Sequence, residues 1–322
     1  MSQPRTWLLS DHAAGNRRQV AALAEALALD DAEWIEPAVP APLRWLAPWA
    51  SALLPWCVPH GLRERLRHEP PQLAIGCGRQ AAQLTHWLRR RHGCYAVQIL
   101  HPRRDPRGWD LIVTPAHDGV SGPNVLTTLG SLHPWTPQRL NAAAQTMPAI
   151  TDLPAPRIAL VIGGPTRAFS ADQRWLERSL ARLDAAVGAA SFVISASART
   201  PPAWRRVLQG FASSRDALCW TGPEDGPNPY PALLGAAERI VVSADSVNLA
   251  SEACASGRPV HVLGAELARG RLARFHAALR AAGQVSPLEA PQRPAAALVE
   301  TPALAAEVWR RYRLAQGVAG KV

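Results

Sequence analysis

Residues 240–253 read IVVSADSVNLASEA, which is a short aliphatic run, then small polar residues, then a segment with helical spacing. The pattern predicts a buried strand, followed by a helix that begins at Ser246 or Val247 and ends before Gly257. The free N–H groups and the positive dipole end of such a helix attract a diphosphate. Glu252 lies farther along the helix, where its carboxylate can accept two hydrogen bonds from a ribose diol.

The same alternation of a short apolar run and a longer amphipathic segment recurs along the chain. Such repeats predict an α/β fold with mostly parallel sheets. Prolines at 148, 154 and 156 indicate a linker between two series of these units. We therefore expect two tandem Rossmann-like, doubly wound domains facing a cleft. Their expected bounds are 1–147 for the N-terminal domain, 148–156 for the linker, 157–300 for the C-terminal domain and 301–322 for a final helix that packs back on the N-terminal domain.

The loops after the predicted strands carry candidate binding residues, because ligands of parallel sheets bind outside the carboxyl ends of the strands. Gly15 and Asn16, which follow Asp11, suit a turn into a helix N-terminus that attracts an anion. A double glycine at 163–164 lets a phosphate or the facing domain approach the backbone. Hydroxyls and a guanidinium that can bind a phosphate follow the next strand, at Ser197, Arg199 and Thr200. A capped helix start is the alternative for the first of these loops, and a polar turn with a capping residue is the alternative for the last.

Two further loops after predicted strands carry residue types found in cofactor-binding and catalytic sites. Residues 76–81 read GCGRQA, but the next strand ends without the carboxylate that a dinucleotide site needs, so a plain strand–helix turn is expected. His117, followed by Asp118 after a predicted strand, is the candidate general base, since a neighbouring carboxylate can orient an imidazole. A structural hydrogen-bonding role is the alternative. The histidine spacing matches no zinc motif, so no metal is expected.

Composition excludes several classes of protein. Of 322 residues, 48% are hydrophobic and 19% are charged, which is typical of a packed globular protein and not of a disordered one. The net charge of +10 comes almost entirely from arginine and is spread over both halves, so it predicts no specific nucleic-acid partner. The five cysteines form no CxxC pair, which indicates buried thiols in a reducing compartment. With no signal peptide evident, a cytoplasmic location is expected.

The segment from Trp45 to Trp56 raises the question of a membrane. It is rich in tryptophan and leucine, is flanked by arginines and contains two prolines. It is too short to span a bilayer but suits a helix or loop that lies in the membrane interface, which would make the protein peripheral on the inner membrane. A hydrophobic flap packed on the first domain is the alternative.

Residues 240–253 resemble the donor-binding helix of GT-B glycosyltransferases, in which two Rossmann-like domains face each other across a cleft. That resemblance implies that Ser246 and Asn248 contact the diphosphate of a nucleotide sugar and that Glu252 holds its ribose. Tyr230 and Thr200 are candidates to line the base or sugar pocket.

Several short motifs follow one another along the chain, at residues 11–19, 115–125, 130–133, 162–165, 195–201, 228–230 and 244–253. In that order they resemble the mitochondrial-fission ELM (elongated mitochondria) family. Its bacterial members are often labelled nucleoside-diphosphate-sugar epimerase-like, and its plant members are associated with recruiting a dynamin-type fission machine. The last motif includes Asp245 beside Ser246, so the resemblance adds Asp245 to the candidate binding residues.

Together the resemblances imply a protein that binds a nucleoside-diphosphate sugar as its substrate, without a further cofactor. They also imply that the protein transfers the sugar to an acceptor. That acceptor would be lipid-linked if the protein docks on a membrane. Arg199 and the helix N–H groups would stabilise the leaving diphosphate, and His117 or Asp118 would take the acceptor proton. That scheme requires no metal. A nucleotide-sugar epimerase or hydrolase and a non-catalytic, membrane-associated adaptor are the alternatives.

Overall fold

The computed structural model describes residues 3–11, 13–36 and 60–317. The chain divides into two compact units. One contains the residues up to Pro134 together with those from Glu300 onward, and the other runs from Trp135 to Val299. Each unit has its own sheet of parallel strands, with helices in the connections between strands. The predicted α/β class with two Rossmann-like sheets is confirmed.

The first unit is built on a six-stranded sheet. Its strands are β1 Thr6–Ser10, β2 Glu33–Ile35, β3 Leu73–Cys77, β4 Tyr95–Ile99, β5 Leu111–Pro115 and β6 Val125–Thr128, and its first helices are α1 Ala14–Ala26, α2 His60–His68 and α3 Arg79–His92. The strand order is β2-β1-β3-β4-β5-β6, so the order reverses beside β1. Every residue of β3, β4 and β5 is buried, which explains their nearly continuous apolar sequences.

The second unit is built on a five-stranded sheet. Its strands are β7 Arg157–Ile162, β8 Ser191–Ala196, β9 Ala217–Trp220, β10 Arg239–Ser243 and β11 Val260–Leu263. Its helices are α4 Pro137–Gln145, α5 Pro148–Thr151, α6 Gln173–Val187, α7 Pro202–Ala212, α8 Tyr230–Ala236, α9 Val247–Cys254 and α10 Arg271–Ala281. The strand order β11-β10-β7-β8-β9 reverses between β7 and β10, and the carboxyl ends of those two strands form the switch point at which such sheets bind ligands.

The boundary between the units lies after Pro134, whereas the sequence indicated a linker at 148–156. Pro148 begins α5 instead of interrupting the structure, because proline is tolerated in the first turn of a helix. The helix before it, α4, buries Leu140 and Ala144 and packs closely against α8 of the second unit. Within the predicted linker itself, Ile150 of α5 is also buried, so this segment packs as part of the second unit and does not act as a linker.

The C-terminal helix, Thr301–Ala315, lies in the first unit. Leu304, Val308 and Tyr312 are buried in the core that also contains residues of α1 and β3. Just before the helix, the Glu300 carboxylate accepts hydrogen bonds from the backbone N–H groups of Leu129 and Gly130, at 2.9 and 3.0 Å. The last helix is thus held both by apolar packing and by a charged hydrogen-bond acceptor.

At Gly235, α8 approaches the backbone of α4 closely, since a β-carbon at this position would overlap the Leu140 carbonyl group. We expect Gly235→Ala to lower the free energy of unfolding by about 1–3 kcal/mol, because backbone atoms on both helices would have to move. Gly210→Ala on α7 is the matched control. A β-carbon there meets nothing within 4 Å, so replacing this helix glycine should stabilise the protein by about 0.5–1 kcal/mol. Urea unfolding measures both, and effects of the same sign would contradict the packing account.

Candidate functional site

The switch point of the second unit is organised around a buried carboxylate. The Asp245 side chain has no exposed surface, and its Oδ1 accepts a hydrogen bond of 2.6 Å from the Ser243 hydroxyl. That hydroxyl oxygen in turn accepts one of 2.8 Å from the backbone N–H of Gly163. A β-carbon on Gly163 would overlap the carboxylate, so only glycine allows β7 and β10 to meet in this way. The chain of hydrogen bonds ties the ends of the two strands together.

Arg199 connects this buried group to the surface. Its guanidinium donates a hydrogen bond of 2.7 Å to Asp245 Oδ2. The Arg199 side chain is 51% exposed, while its partner is fully buried. The arginine is therefore fixed at one edge while half of its side-chain surface faces solvent, where its other N–H groups can bind an anion.

The loop that carries Arg199 is folded by its own hydroxyl groups. Thr200 is buried, and its Oγ1 lies 2.9 Å from the Ile162 carbonyl oxygen and 2.7 Å from that of Gly163. Ser197 Oγ accepts a hydrogen bond of 3.2 Å from the Arg199 backbone N–H. Gly164 completes the turn, since a β-carbon there would press on the Arg199 carbonyl oxygen at 2.5 Å. Thr200, predicted to line the ligand pocket, is instead turned inward and shapes the loop.

The start of α9 carries hydrogen-bond donors that the described protein does not use. Ser246 caps the helix, and its hydroxyl oxygen accepts a hydrogen bond of 3.3 Å from the backbone N–H of Leu249. Among the described residues, none accepts a hydrogen bond from the backbone N–H of Asp245 or of Ser246. Asn248 is half-buried in the first turn, which contains no acidic residue. This arrangement is suited to binding an anion.

Glu252 of α9 and Tyr230, the first residue of α8, form a second polar group. The Tyr230 hydroxyl donates a hydrogen bond of 2.6 Å to Glu252 Oε2, and the carboxylate side chain is buried within α9. Asn228 Oδ1 accepts a hydrogen bond of 3.0 Å from the Tyr230 backbone N–H, which fixes the start of α8. The tyrosine thus orients the carboxylate, whose oxygens are hydrogen-bond acceptors.

In the first unit, Asp11 joins the ends of β1 and β3. Its Oδ1 accepts a hydrogen bond of 2.5 Å from the Asn16 side-chain amide, and its Oδ2 accepts one of 3.2 Å from the backbone N–H of Arg79. Gly15 and Asn16 lie in the first turn of α1, which begins at Ala14. The Asp11 carboxylate is therefore engaged by the first turns of two helices.

His117 and Asp118 lie in a single turn of 3-10 helix, Ala116–Asp118, directly after β5. Both residues are half-buried. The Thr114 hydroxyl donates a hydrogen bond of 3.1 Å to Asp118 Oδ2, which fixes the carboxylate at the end of the strand. The role of these two residues as a base stays a prediction.

The comparisons with known proteins agree with this architecture. The model of the family described as mitochondrial fission ELM1 matches residues 14–312. The chain belongs to this family. It is 31% identical over 253 residues to the mitochondrial fission protein ELM1 of Arabidopsis thaliana, an alignment that covers 69% of this chain and 58% of the plant protein. The chain thus spans less than two thirds of that relative's length.

Solved structures similar to this ELM1-family chain define the fold class. The complex of S. aureus MnaA with UDP has a TM-score of 0.56 and 14% identity, covering 98% of both chains. Acinetobacter baumannii MurG has a TM-score of 0.53 and 10% identity, covering 98% of this chain and 94% of the other. At such identities the likeness concerns the fold alone. The fold is GT-B-like, so the expected fold class and the family resemblance are both confirmed.

One residue near the candidate site of this ELM1-family chain was not found by sequence reasoning. His276 on α10 is buried, and its Nε2 lies 2.8 Å from the Ala244 carbonyl oxygen, one residue before Asp245. Burial lowers the pKa of His276, and the nearby Arg280 lowers it further, while the Ala244 bond and Asp245 oppose these effects. Because a carbonyl only accepts, Nε2 carries the proton and donates it. The local sequence contains no signal for a contact between residues 32 positions apart.

The expectations about a membrane surface and about metal binding involve residues that the structure does not describe. The segment Trp45–Trp56, predicted to lie at a membrane surface, is outside the described residues. None of the helices within the described ranges combines the length and the apolar composition needed to cross a bilayer. Within the same ranges, no three His, Cys, Asp or Glu side chains are grouped as metal ligands.

Proposed function

We propose that the second unit binds a nucleoside-diphosphate sugar and that the protein transfers the sugar to an acceptor bound by the first unit. The observation that carries this proposal is the polar arrangement at the carboxyl ends of β8 and β10. There an anchored arginine follows β8, and β10 is followed by backbone N–H groups that no described residue accepts from and by a buried, oriented glutamate on α9; the two strands flank β7 in one sheet. Their chemistry matches a diphosphate and a ribose.

The diphosphate is assigned to Arg199 and the N-terminus of α9. A carboxylate beside a diphosphate would normally repel it, but Asp245 is fully buried and hydrogen-bonded to Ser243 and Arg199. Its charge is thereby balanced by the arginine, which still presents half of its side chain to solvent. Donors fixed in advance stabilise the charge that develops on a leaving diphosphate and need not reorganise during the reaction.

The ribose is assigned to Glu252. Two hydroxyl groups of a ribose can donate to one carboxylate, and the hydrogen bond from Tyr230 holds that carboxylate in a single orientation. The tyrosine acts through the glutamate in this scheme and is a positioning residue.

In the transfer step, the bond between the sugar C1 and the diphosphate oxygen breaks, and a bond between C1 and an acceptor hydroxyl oxygen forms. The proton of that hydroxyl passes to a base in the first unit, for which His117 and Asp118 are the candidates. The electron pair of the broken bond leaves on the diphosphate, whose charge Arg199 and the N–H groups stabilise.

A turnover assay tests this proposal. The protein is incubated with UDP-, GDP- and CDP-sugars and a lipid extract as the acceptor source, and the free nucleoside diphosphate is measured. We expect one donor to be consumed. The variant that removes the base, His117→Ala or Asp118→Asn, should consume it at a rate lower by about 100-fold or more, because loss of a general base typically has this effect. Nucleotide affinity should not change in either variant.

The outcomes separate the alternatives. A donor whose sugar changes configuration while it stays attached to the nucleotide would indicate an epimerase. A donor that binds but is never consumed would favour the adaptor. A donor that is consumed equally by the wild type and both variants would contradict the assignment of the base.

A further inference from the structure

His276 is hydrogen-bonded to the peptide group between Ala244 and Asp245, next to the proposed diphosphate site. The imidazole is 3% exposed, and its Nε2–H donates to the carbonyl oxygen of Ala244, which is fully buried. On the other side of this residue, the Ala244 N–H donates to Leu263 O at 2.9 Å, so β11 fixes where β10 ends. The direction of the Ala244 carbonyl is therefore set by a side chain from α10.

The direction of that carbonyl determines the direction of the next N–H group. In a planar trans peptide the C=O and the following N–H point in opposite directions. With the Ala244 carbonyl turned toward His276, the Asp245 N–H points away from α10. No described residue accepts a hydrogen bond from it, nor from the N–H of Ser246 that follows. The two donors precede α9 on the same stretch of backbone as the proposed diphosphate contacts.

The packing around His276 indicates that this side chain does more than fill space. The ring borders a cavity of about 280 Å³, which is also lined by Trp175, His261 and Arg280. A side chain with open space on one side is not held by close packing alone. Its hydrogen bond to Ala244 is the contact that links it to the loop.

We propose that His276 is a positioning residue that aims the Asp245 N–H at a phosphate oxygen of the bound nucleoside diphosphate. This inference rests on the proposed function and adds a specific donor and its support. An N–H group oriented before the ligand arrives binds an anion without the cost of reorganisation. Neither His276 nor this peptide group touches the base or ribose in the scheme, so their effect is confined to the diphosphate.

A matched pair of variants tests the inference. The amide nitrogen of glutamine reaches about as far from the backbone as Nε2 of histidine, whereas asparagine ends one bond earlier. His276→Gln can therefore donate to Ala244 O, and His276→Asn cannot. The probe is whichever of UDP, GDP and CDP the wild type binds most tightly, titrated beside its own nucleoside. We expect His276→Asn to weaken binding of the diphosphate about tenfold and His276→Gln to weaken it at most about threefold. The hydrogen bond at stake is the one from the Asp245 N–H to the charged phosphate, and these values are in the range expected for losing or keeping one such bond.

The nucleoside titration distinguishes positioning from a general structural role. Both variants should bind the nucleoside as the wild type does. Equal diphosphate affinity in the asparagine variant, or an equal loss for nucleoside and diphosphate, would overturn the inference while leaving the proposed function intact. If the asparagine variant does not fold, His276→Met replaces it, since methionine fills the space without a donor. A wild type that binds no nucleotide would contradict the proposed function, and this inference with it.

Discussion

Asp245→Ala is expected to lower the free energy of unfolding by about 3 kcal/mol, because it removes a buried charge that is hydrogen-bonded on both oxygens. The carboxylate accepts hydrogen bonds of 2.6 Å from Ser243 and 2.7 Å from Arg199. Truncation leaves the Ser243 hydroxyl beside an empty space. Because Arg199 is half exposed, its guanidinium can turn to water after the truncation. The loss of unfolding free energy therefore stays near the lower end of the range for breaking a buried ion pair.

Asp172→Ala is the matched control for this prediction. Asp172 also accepts a hydrogen bond of 2.7 Å in the second unit, from the backbone N–H of Trp175, but it caps an exposed helix end. Removal of such a cap costs about 1 kcal/mol. Urea unfolding of the two variants gives the comparison. If Asp245→Ala costs no more than Asp172→Ala, the carboxylate is not the anchor of the switch point.

Glu252→Gln is expected to raise the dissociation constant for a ribonucleoside diphosphate about 30-fold. A hydrogen bond to a charged acceptor contributes about 1.5–3 kcal/mol, which corresponds to roughly 10–100-fold in affinity. The amide has nearly the shape of the carboxylate and can still accept from Tyr230, so the fold should be retained. Calorimetric titration with the nucleotide preferred by the wild type measures the change.

The 2′-deoxy form of the same nucleotide is the control ligand. It offers one hydroxyl fewer, so Glu252→Gln should weaken it much less than the ribose form. Tyr230→Phe should weaken the ribose form by about 3–10-fold, because the carboxylate remains but loses the hydrogen bond that orients it. An equal loss for the ribose and deoxy forms in Glu252→Gln would refute the assignment of Glu252 to the ribose.

The local pattern of residues 240–253 predicted β10 and a helix that begins at Ser246 or Val247. The structure has the strand at Arg239–Ser243 and the helix at Val247–Cys254. Aliphatic runs, small polar residues and helical spacing are short-range signals, so they are readable without tertiary structure. The same kind of signal misplaced the domain boundary, since proline composition alone does not distinguish a linker from a first helical turn.

The orientation of individual side chains was not predictable in the same way. Asp245 lies in a loop that was expected to face ligand, yet its carboxylate is buried because Gly163 leaves space for it. Thr200 was expected in the pocket, but its hydroxyl is turned to carbonyl groups at the end of β7. The bond between Tyr230 and Glu252 joins residues 22 positions apart. Each of these contacts is set by how strands and helices pack, which no local pattern encodes.

The central claim is that the second unit recognises a nucleoside diphosphate. Calorimetric titration of the wild-type protein with UDP, GDP and CDP, each beside its own nucleoside, tests it most directly. We predict that one of the diphosphates binds at least about 30-fold more tightly than its nucleoside, as charge-assisted hydrogen bonds from Arg199 and the α9 N-terminus require. Binding of none of the three diphosphates, or equal binding of diphosphate and nucleoside, would contradict the account.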